Sequence, residues 1–209
     1  MALLLSVLEQ GMIYGILALG VYITYKILDF PDLTVDGSFP FGAAITVRLI
    51  NGFGVPAILT LPIAFLGGAL VGICTGLIHV KLKVRDLLSG IIMMTGLYTI
   101  NLWVAGSGYV AIFDKENIFN NSFVNSITPG FLVNFKNVII IFLITMVAKY
   151  LLDWYMSTKS GFLLRAVGDN DTIVTSLGVD KGLVKIVGLS IANGLVSLSG
   201  CIYAQPVSY

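Results

Sequence analysis

Five apolar runs divide this chain: Leu3–Leu28, Val55–Val80, Leu87–Gly106, Val138–Met156 and Val184–Ala204. Each is about the length that crosses a hydrocarbon core of ~30 Å as a helix. In hydrocarbon every backbone N–H and C=O needs a partner inside the structure, and a helix supplies one for each. Composition agrees. The chain is 57% hydrophobic and 11% charged, where a soluble domain carries roughly 25% charged residues. A net charge of +1 presents no basic surface for nucleic acid. The expected fold is all-α: a polytopic transmembrane helical bundle of about five to six membrane segments, forming one domain over residues 1–209. The lipid bilayer is its surroundings.

A sixth apolar piece, Phe39–Ile50, follows Pro31 and Gly37 and contains Pro40 and Gly42. It is short and interrupted, and reads as a re-entrant or broken helix, or a short packed one. The first run has no positively charged leader ahead of it and reads as a retained span. Glycines recur at four-residue spacing, at Gly11 and Gly15 and at Gly68, Gly72 and Gly76. In lipid such faces let helices approach closely, and the second set predicts a packed seam. Cys74 and Cys201 lie inside apolar runs and read as small buried hydrophobes. His79, with no other ligand type at suitable spacing, reads as an interfacial side chain.

Basic residues set the expected orientation. Lys81, Lys83 and Arg85 form one cluster; Lys149, Lys159, Arg165, Lys181 and Lys185 form another. The intervening loop, Ser107–Lys136, has only Lys115 and Lys136. The two clusters are therefore expected in the cytoplasm and that loop outside.

No catalytic constellation is visible, and no metal site or cofactor is expected. GxxxxGK[ST] is absent, so this chain does not hydrolyse nucleotide by that route. Gly106–Ala111 matches GxGxxA without a preceding strand, a chance match. Asn120–Ser122 matches a glycosylation acceptor, which matters only in a eukaryotic secretory setting. Acids at membrane depth are functional candidates. Glu9 lies near the start of the first run, either in the interface or in the bundle. Asp32, Asp36, Gly37 and Ser38 belong to a Pro- and Gly-broken polar segment. Irregular backbone at that depth needs protein or a water-filled cavity around it. Two readings stand, a lining of the translocation pathway and a plain turn.

The polar island TKSGFLLRAVGDNDTIVTSLGVDKGLVK runs from Thr158 to Lys185. Ser160 or Gly161 can start a short helix, stopped by Gly168. Asp169 or Asn170 can cap a second, ending at Gly178. Apolar faces are expected on Phe162, Val167, Ile173 and Leu177, with Arg165 bracing the pair. Two short helices with a tight turn make a stiff knob; the competing form is a helix lying on the headgroups.

This island resembles the cytoplasmic coupling region of ABC-transporter permeases of the branched-chain amino acid and ribose type. Gly161, Leu164, Arg165, Ala166, Val167, Gly168, Asp169 and Asn170 fit that family's G-x-x-L-R-A-V-G-D-N core, and Leu177, Gly178 and Val179 fit the following turn. ILDFPDLTVDGSFPFGAA is similar to the family's N-terminal segment. Its form D-L-T-V-D-G-S-F is nearest a subgroup associated with uptake of aromatic amino acids or similar small organic solutes. The resemblance covers nearly the whole chain. It implies a permease subunit of a bacterial importer in the inner (plasma) membrane and a coupling segment at residues 158–182. It also implies an ATP-binding ABC subunit, an extracytoplasmic solute-binding protein and a second permease subunit, as a homodimer. Members usually run on for further spans, so this chain reads as C-terminally truncated. An ion-coupled secondary transporter is the alternative, working through Glu9 or the aspartates.

Overall fold

Every apolar run forms a helix in the computed structural model, which describes residues 2–106, 118–119, 135–176 and 178–205. Most of the Ser107–Lys136 loop, with the glycosylation match and most of the GxGxxA match, lies outside the described residues, as does Leu177. Helix α1 covers Ala2–Tyr22 and continues as a π-helical turn, Ile23–Ile27. Then come α2 (Val35–Phe53), α3 (Ala57–Leu82), α4 (Asp86–Ala105) and α5 (Lys136–Met156). Two short helices follow, α6 (Lys159–Asp169) and α7 (Asp171–Ser176), before α8 (Lys181–Ala204). No strand occurs among the described residues. Among the described residues, five helices are long and apolar enough to cross a membrane.

Helix α2 is not among those five; of the forms expected for Phe39–Ile50 it sets aside the broken and re-entrant ones, and its packing on α8 fits the packed one. It is one continuous helix of 19 residues, about 28 Å long at 1.5 Å per residue. Pro40 sits inside it. A proline there removes one backbone bond, yet neighbouring helices hold the rest of the turn. The ends of α1 and α3 lie at the same end of the bundle, beside α6 and the start of α8. The two helices therefore run the same way, and α2 must carry the chain back between them.

Helix α8 is the centre, with α1, α2 and α3 packed on it. Glycine makes that packing possible. A Cβ at Gly68 would overlap the Asn193 carbonyl oxygen, and one at Gly72 the Leu189 carbonyl oxygen. Gly42 meets Ser197 and Gly200 meets Phe39 in the same way. So the Gly68–Gly72–Gly76 seam exists and α8 is its partner. The Gly11–Gly15 pair faces open space instead. Two serines of α8 add cross-helix bonds: Ser197 Oγ donates to the Ala64 carbonyl at 2.7 Å and Ser199 Oγ to that of Ile13 at 2.7 Å. Bonds of this kind average roughly 0.6 kcal/mol in membranes.

A methyl group tests the seam. Gly72→Ala should destabilise by about 1–3 kcal/mol, the usual cost of overpacking, because the obstacle is backbone. Gly11→Ala should be neutral. The check is melting temperature in detergent, and equal values for the two variants would dissolve the distinction.

Of the two cysteines, Cys201 is buried but Cys74 is exposed, so only one reads as expected. His79 fastens the α3–α4 corner. Its Nδ1 lies 2.9 Å from the Val84 carbonyl oxygen and 3.1 Å from Asp86 Oδ1, with the Phe30 ring edge-on at 5.1 Å.

Candidate functional site

Three features share the half of the bundle where α1 ends: a knob, a buried polar knot and an open face of α2.

The knob is α6 with α7. Thr158 caps α6, its hydroxyl accepting from Gly161 N at 3.4 Å. Asn170 ends α6 and caps the next turn, with Oδ1 accepting from Thr172 N at 3.1 Å and from the Thr172 hydroxyl. Gly178 has φ +74 with open space around it, a backbone position suited to glycine. The inner face of α6 is Gly161, Leu164, Val167 and Gly168. Leu164 is fully buried, reaching Leu28 and Gly188; Val167 is buried too. A Cβ at Gly168 would overlap the Ile27 carbonyl oxygen.

These facts correct three expectations. Gly168 does not stop the helix, which continues through Asp169, and it has no positive φ. It is glycine because α6 lies against the backbone of the π-helical turn. Phe162 is not on the packed face but 61% exposed. Arg165 is exposed, and no partner among the described residues takes its guanidinium, so it does not brace the pair. The outward face is thus Phe162, Arg165 and Asp169, with Ala166 half-buried between. Val174 packs inward; the side chain of Ile173 lies outside the description.

The polar knot joins segments far apart in sequence. Asp32 Oδ1 accepts from Thr34 N at 2.8 Å, and Asp32 Oδ2 accepts from Asn193 Nδ2 at 2.8 Å. Asn193 Nδ2 also donates to the Leu189 carbonyl at 3.1 Å, and Asn193 Oδ1 accepts from the Ser38 hydroxyl at 2.6 Å. The Thr34 and Thr75 hydroxyls lie 3.1 Å apart. Asp32, Thr34, Ser38 and Asn193 are all buried. A buried carboxylate needs such partners, and this one has them. Asn193 was not singled out from the sequence, although an asparagine inside an apolar run is a polar signal.

The broken segment therefore divides. Asp32 and Ser38 face α8 inside the knot. Gly37 is packed on Met94 and Leu97 of α4. Asp36 points away and is exposed. Leu97 lies midway along α4, so Asp36 stands well inside the bundle's length. A carboxylate at that depth is costly against lipid. The face of α2 that carries it lies between Tyr14 of α1, against Phe39, and Leu97 of α4, against Gly37. Glu9 is apart from all this, half-buried on α1.

A cavity of about 700 Å³ opens between α3, α5 and α8. Leu61, Phe65, Leu143, Leu152, Ile191 and Leu195 are among its lining, which gives a polar solute nothing to bond.

The family model for the permease component of branched-chain amino acid transport systems matches residues 3–208. The chain is 42% identical to a tyrosine transport system permease protein of Clostridioides difficile, over 97% of this chain and 64% of the relative. It is 26% identical to a probable branched-chain amino acid transport permease of Methanocaldococcus jannaschii, over 93% and 64%. It is 26% identical to a ribose import permease of Haemophilus influenzae, over 98% and 61%. The chain thus spans a little under two thirds of the length of these relatives. No solved structure matches it.

Proposed function

We propose a role from one premise: the chain belongs to the family of permease components of branched-chain amino acid transport systems. On this reading it is a multi-pass subunit of an ATP-driven importer in a bacterial plasma membrane, and it forms the translocation pathway for a small organic solute. Two copies build the pathway. A separate ATP-binding subunit docks on α6–α7 and hydrolyses the nucleotide, and an extracytoplasmic binding protein delivers the solute. The relatives' names, for tyrosine, branched-chain amino acids and ribose, support a small solute with amino acids in its range.

The observation that carries the reading is the seating of α6. Its inner face is locked on the π-helical turn by Gly168 and Leu164, while Phe162, Arg165 and Asp169 face outward. A push on the outer face moves Ile27 and Leu28 directly. From there the chain runs through Asp29, whose φ is +50, to Asp32 and the start of α2. A π-helical turn in a helix is often placed at functional positions. The knob can thus bias α1 and α2 together, and a ligand shifts such an equilibrium only through contacts that differ between states. Ion coupling draws less support, because Asp32 is locked in the knot.

One experiment tests side and docking together. In a cysteine-free background, Phe162→Cys should react with an impermeant thiol reagent only from the cytoplasmic face. Its labelling should fall when the ATP-binding subunit is present. Asn117→Cys should react from outside. Labelling of Phe162→Cys from outside refutes the orientation, and labelling indifferent to the partner subunit refutes the docking site.

A further inference from the structure

The cavity between α3, α5 and α8 belongs neither to the polar knot nor to the outward face of the knob. It holds about 700 Å³. Leu61 and Phe65 line it from α3, Leu143 and Leu151 from α5, and Ile191 and Leu195 from α8. Leu143 is 58% exposed and Leu151 60%, so the rim on α5 opens to the surroundings of the bundle. For helices of this length and apolarity those surroundings are lipid.

The lining decides what fits. Apart from Tyr155 at one end, none of its side chains can make a hydrogen bond. Water or a polar solute would lose bonds on entering. A helix fits poorly as well. Where α8 takes α3 closely, glycine makes room, with Gly68 and Gly72 seated on its backbone carbonyls; small residues are what let helices meet in lipid. The cavity wall has one alanine, Ala148, and no glycine. Its bulky side chains hold a helix backbone at a distance, whereas a thin, flexible hydrocarbon chain can lie between them.

One end of the cavity is polar. Tyr155 comes just before Met156, the last residue of α5, and its hydroxyl lies 2.8 Å from that of Ser160 on α6. Lys159, beside Ser160 in the chain, is exposed, and Trp154 is 68% exposed. Tyrosine, tryptophan and lysine at the end of a span settle at headgroup level, and a lysine there attracts an anionic headgroup. From Tyr155 back to Leu143 the cavity follows α5 for about 18 Å at 1.5 Å per residue. That is close to one leaflet's share of a hydrocarbon core of ~30 Å.

We infer that this cavity binds one phospholipid with an anionic headgroup, drawn from the leaflet on the knob's side. An acyl chain lies between α3, α5 and α8, and the phosphate is held at Tyr155, Ser160 and Lys159. Gly161 of α6 is seated on the backbone of Tyr155 and Met156, so a chain that fills the space beside α5 also steadies the base of the knob.

The test takes the whole chain in mild detergent, with phosphatidylglycerol and phosphatidylcholine of identical acyl chains as probes. Native mass spectrometry should show one phosphatidylglycerol retained per chain in preference to phosphatidylcholine, and added phosphatidylglycerol should raise the melting temperature. Leu151→Trp adds bulk at the exposed rim without touching the core; it should abolish both the retained lipid and the melting shift. Leu70→Trp, at a 63% exposed position of α3 outside the cavity, should change neither. Lys159→Gln should cut the preference for phosphatidylglycerol about fivefold, the worth of one lysine near an anionic surface, and leave phosphatidylcholine binding unchanged. Equal retention of the two lipids overturns the proposal. So does retention that survives both Leu151→Trp and Ile191→Trp. Efficient disulfide cross-linking of Leu151→Cys to a second copy in the membrane, in a cysteine-free background, would put a protein helix at the cavity and overturn it too.

Discussion

On the proposed importer role, Gly168→Val is expected to leave the protein in the membrane and uncouple it from the proposed ATP-binding subunit. The added carbons would overlap the Ile27 carbonyl oxygen, and the Ile27 and Leu28 carbonyl carbons lie close behind. These are backbone atoms, so no rotamer change relieves the clash. The cost is at least the ~1–3 kcal/mol of ordinary overpacking, and α6 must lift off the π-helical turn to avoid it. Once lifted, movement of Phe162, Arg165 and Asp169 no longer reaches α1. Solute-stimulated ATP hydrolysis by the assembled transporter should drop to the basal rate, while membrane insertion stays normal. Gly178→Ala is the contrasting variant. Its site has positive φ but open space, so it should cost only about 1 kcal/mol of backbone strain and keep most of the coupling. Full coupling in Gly168→Val would mean that the contact between α6 and α1 carries no force.

The sequence exposed the spans because hydrocarbon imposes length and composition on each segment separately. It exposed the knob because capping and glycine signals are local: Thr158, Asn170 and Gly178 act within a few residues of themselves. The role of Gly168 was misread for the complementary reason. A glycine needed for a turn and one needed for close approach look the same until the partner backbone is known, and here that partner is Ile27. Phe162 was misassigned because both faces of α6 hold apolar residues, and only the seat on α1 and α8 decides which is inner. Helix α2 stays open between three forms in the sequence because Pro40 and its glycines weaken its pattern, whereas Gly42 is what lets it lie against Ser197 of α8. The polar knot was half legible. Asp32 stood out as an acid at depth, but its partner is 161 residues away, and no local pattern joins them. The same distance kept Asn101 out of view as a neighbour of Gly37, 64 residues earlier.

Asn193→Leu should be the most destabilising single change in the bundle. It removes the Nδ2 that donates to Asp32 Oδ2 and the Oδ1 that accepts from the Ser38 hydroxyl. Asp32, 1% exposed, would keep only the bond from Thr34 N. Leaving a buried acceptor without its partner costs ~1–3 kcal/mol, and more for a charged one, against ~1 kcal/mol for an ordinary hydrogen bond. Leucine also branches where Gly68 and Gly72 bring α3 onto the α8 backbone, so packing offers little return. Asp32→Leu combined with Asn193→Leu should recover part of the loss, because no buried charge is then left unpaired; the difference between the double and summed single variants measures the coupling. Melting in detergent or lipid reads these values directly. The result also decides what Asp32 is for. As the tie between α2 and α8, its loss should lower stability while the folded fraction keeps its affinity for solute. If instead Asn193→Leu folds with near-native stability and loses solute affinity, Asp32 faces the proposed pathway after all.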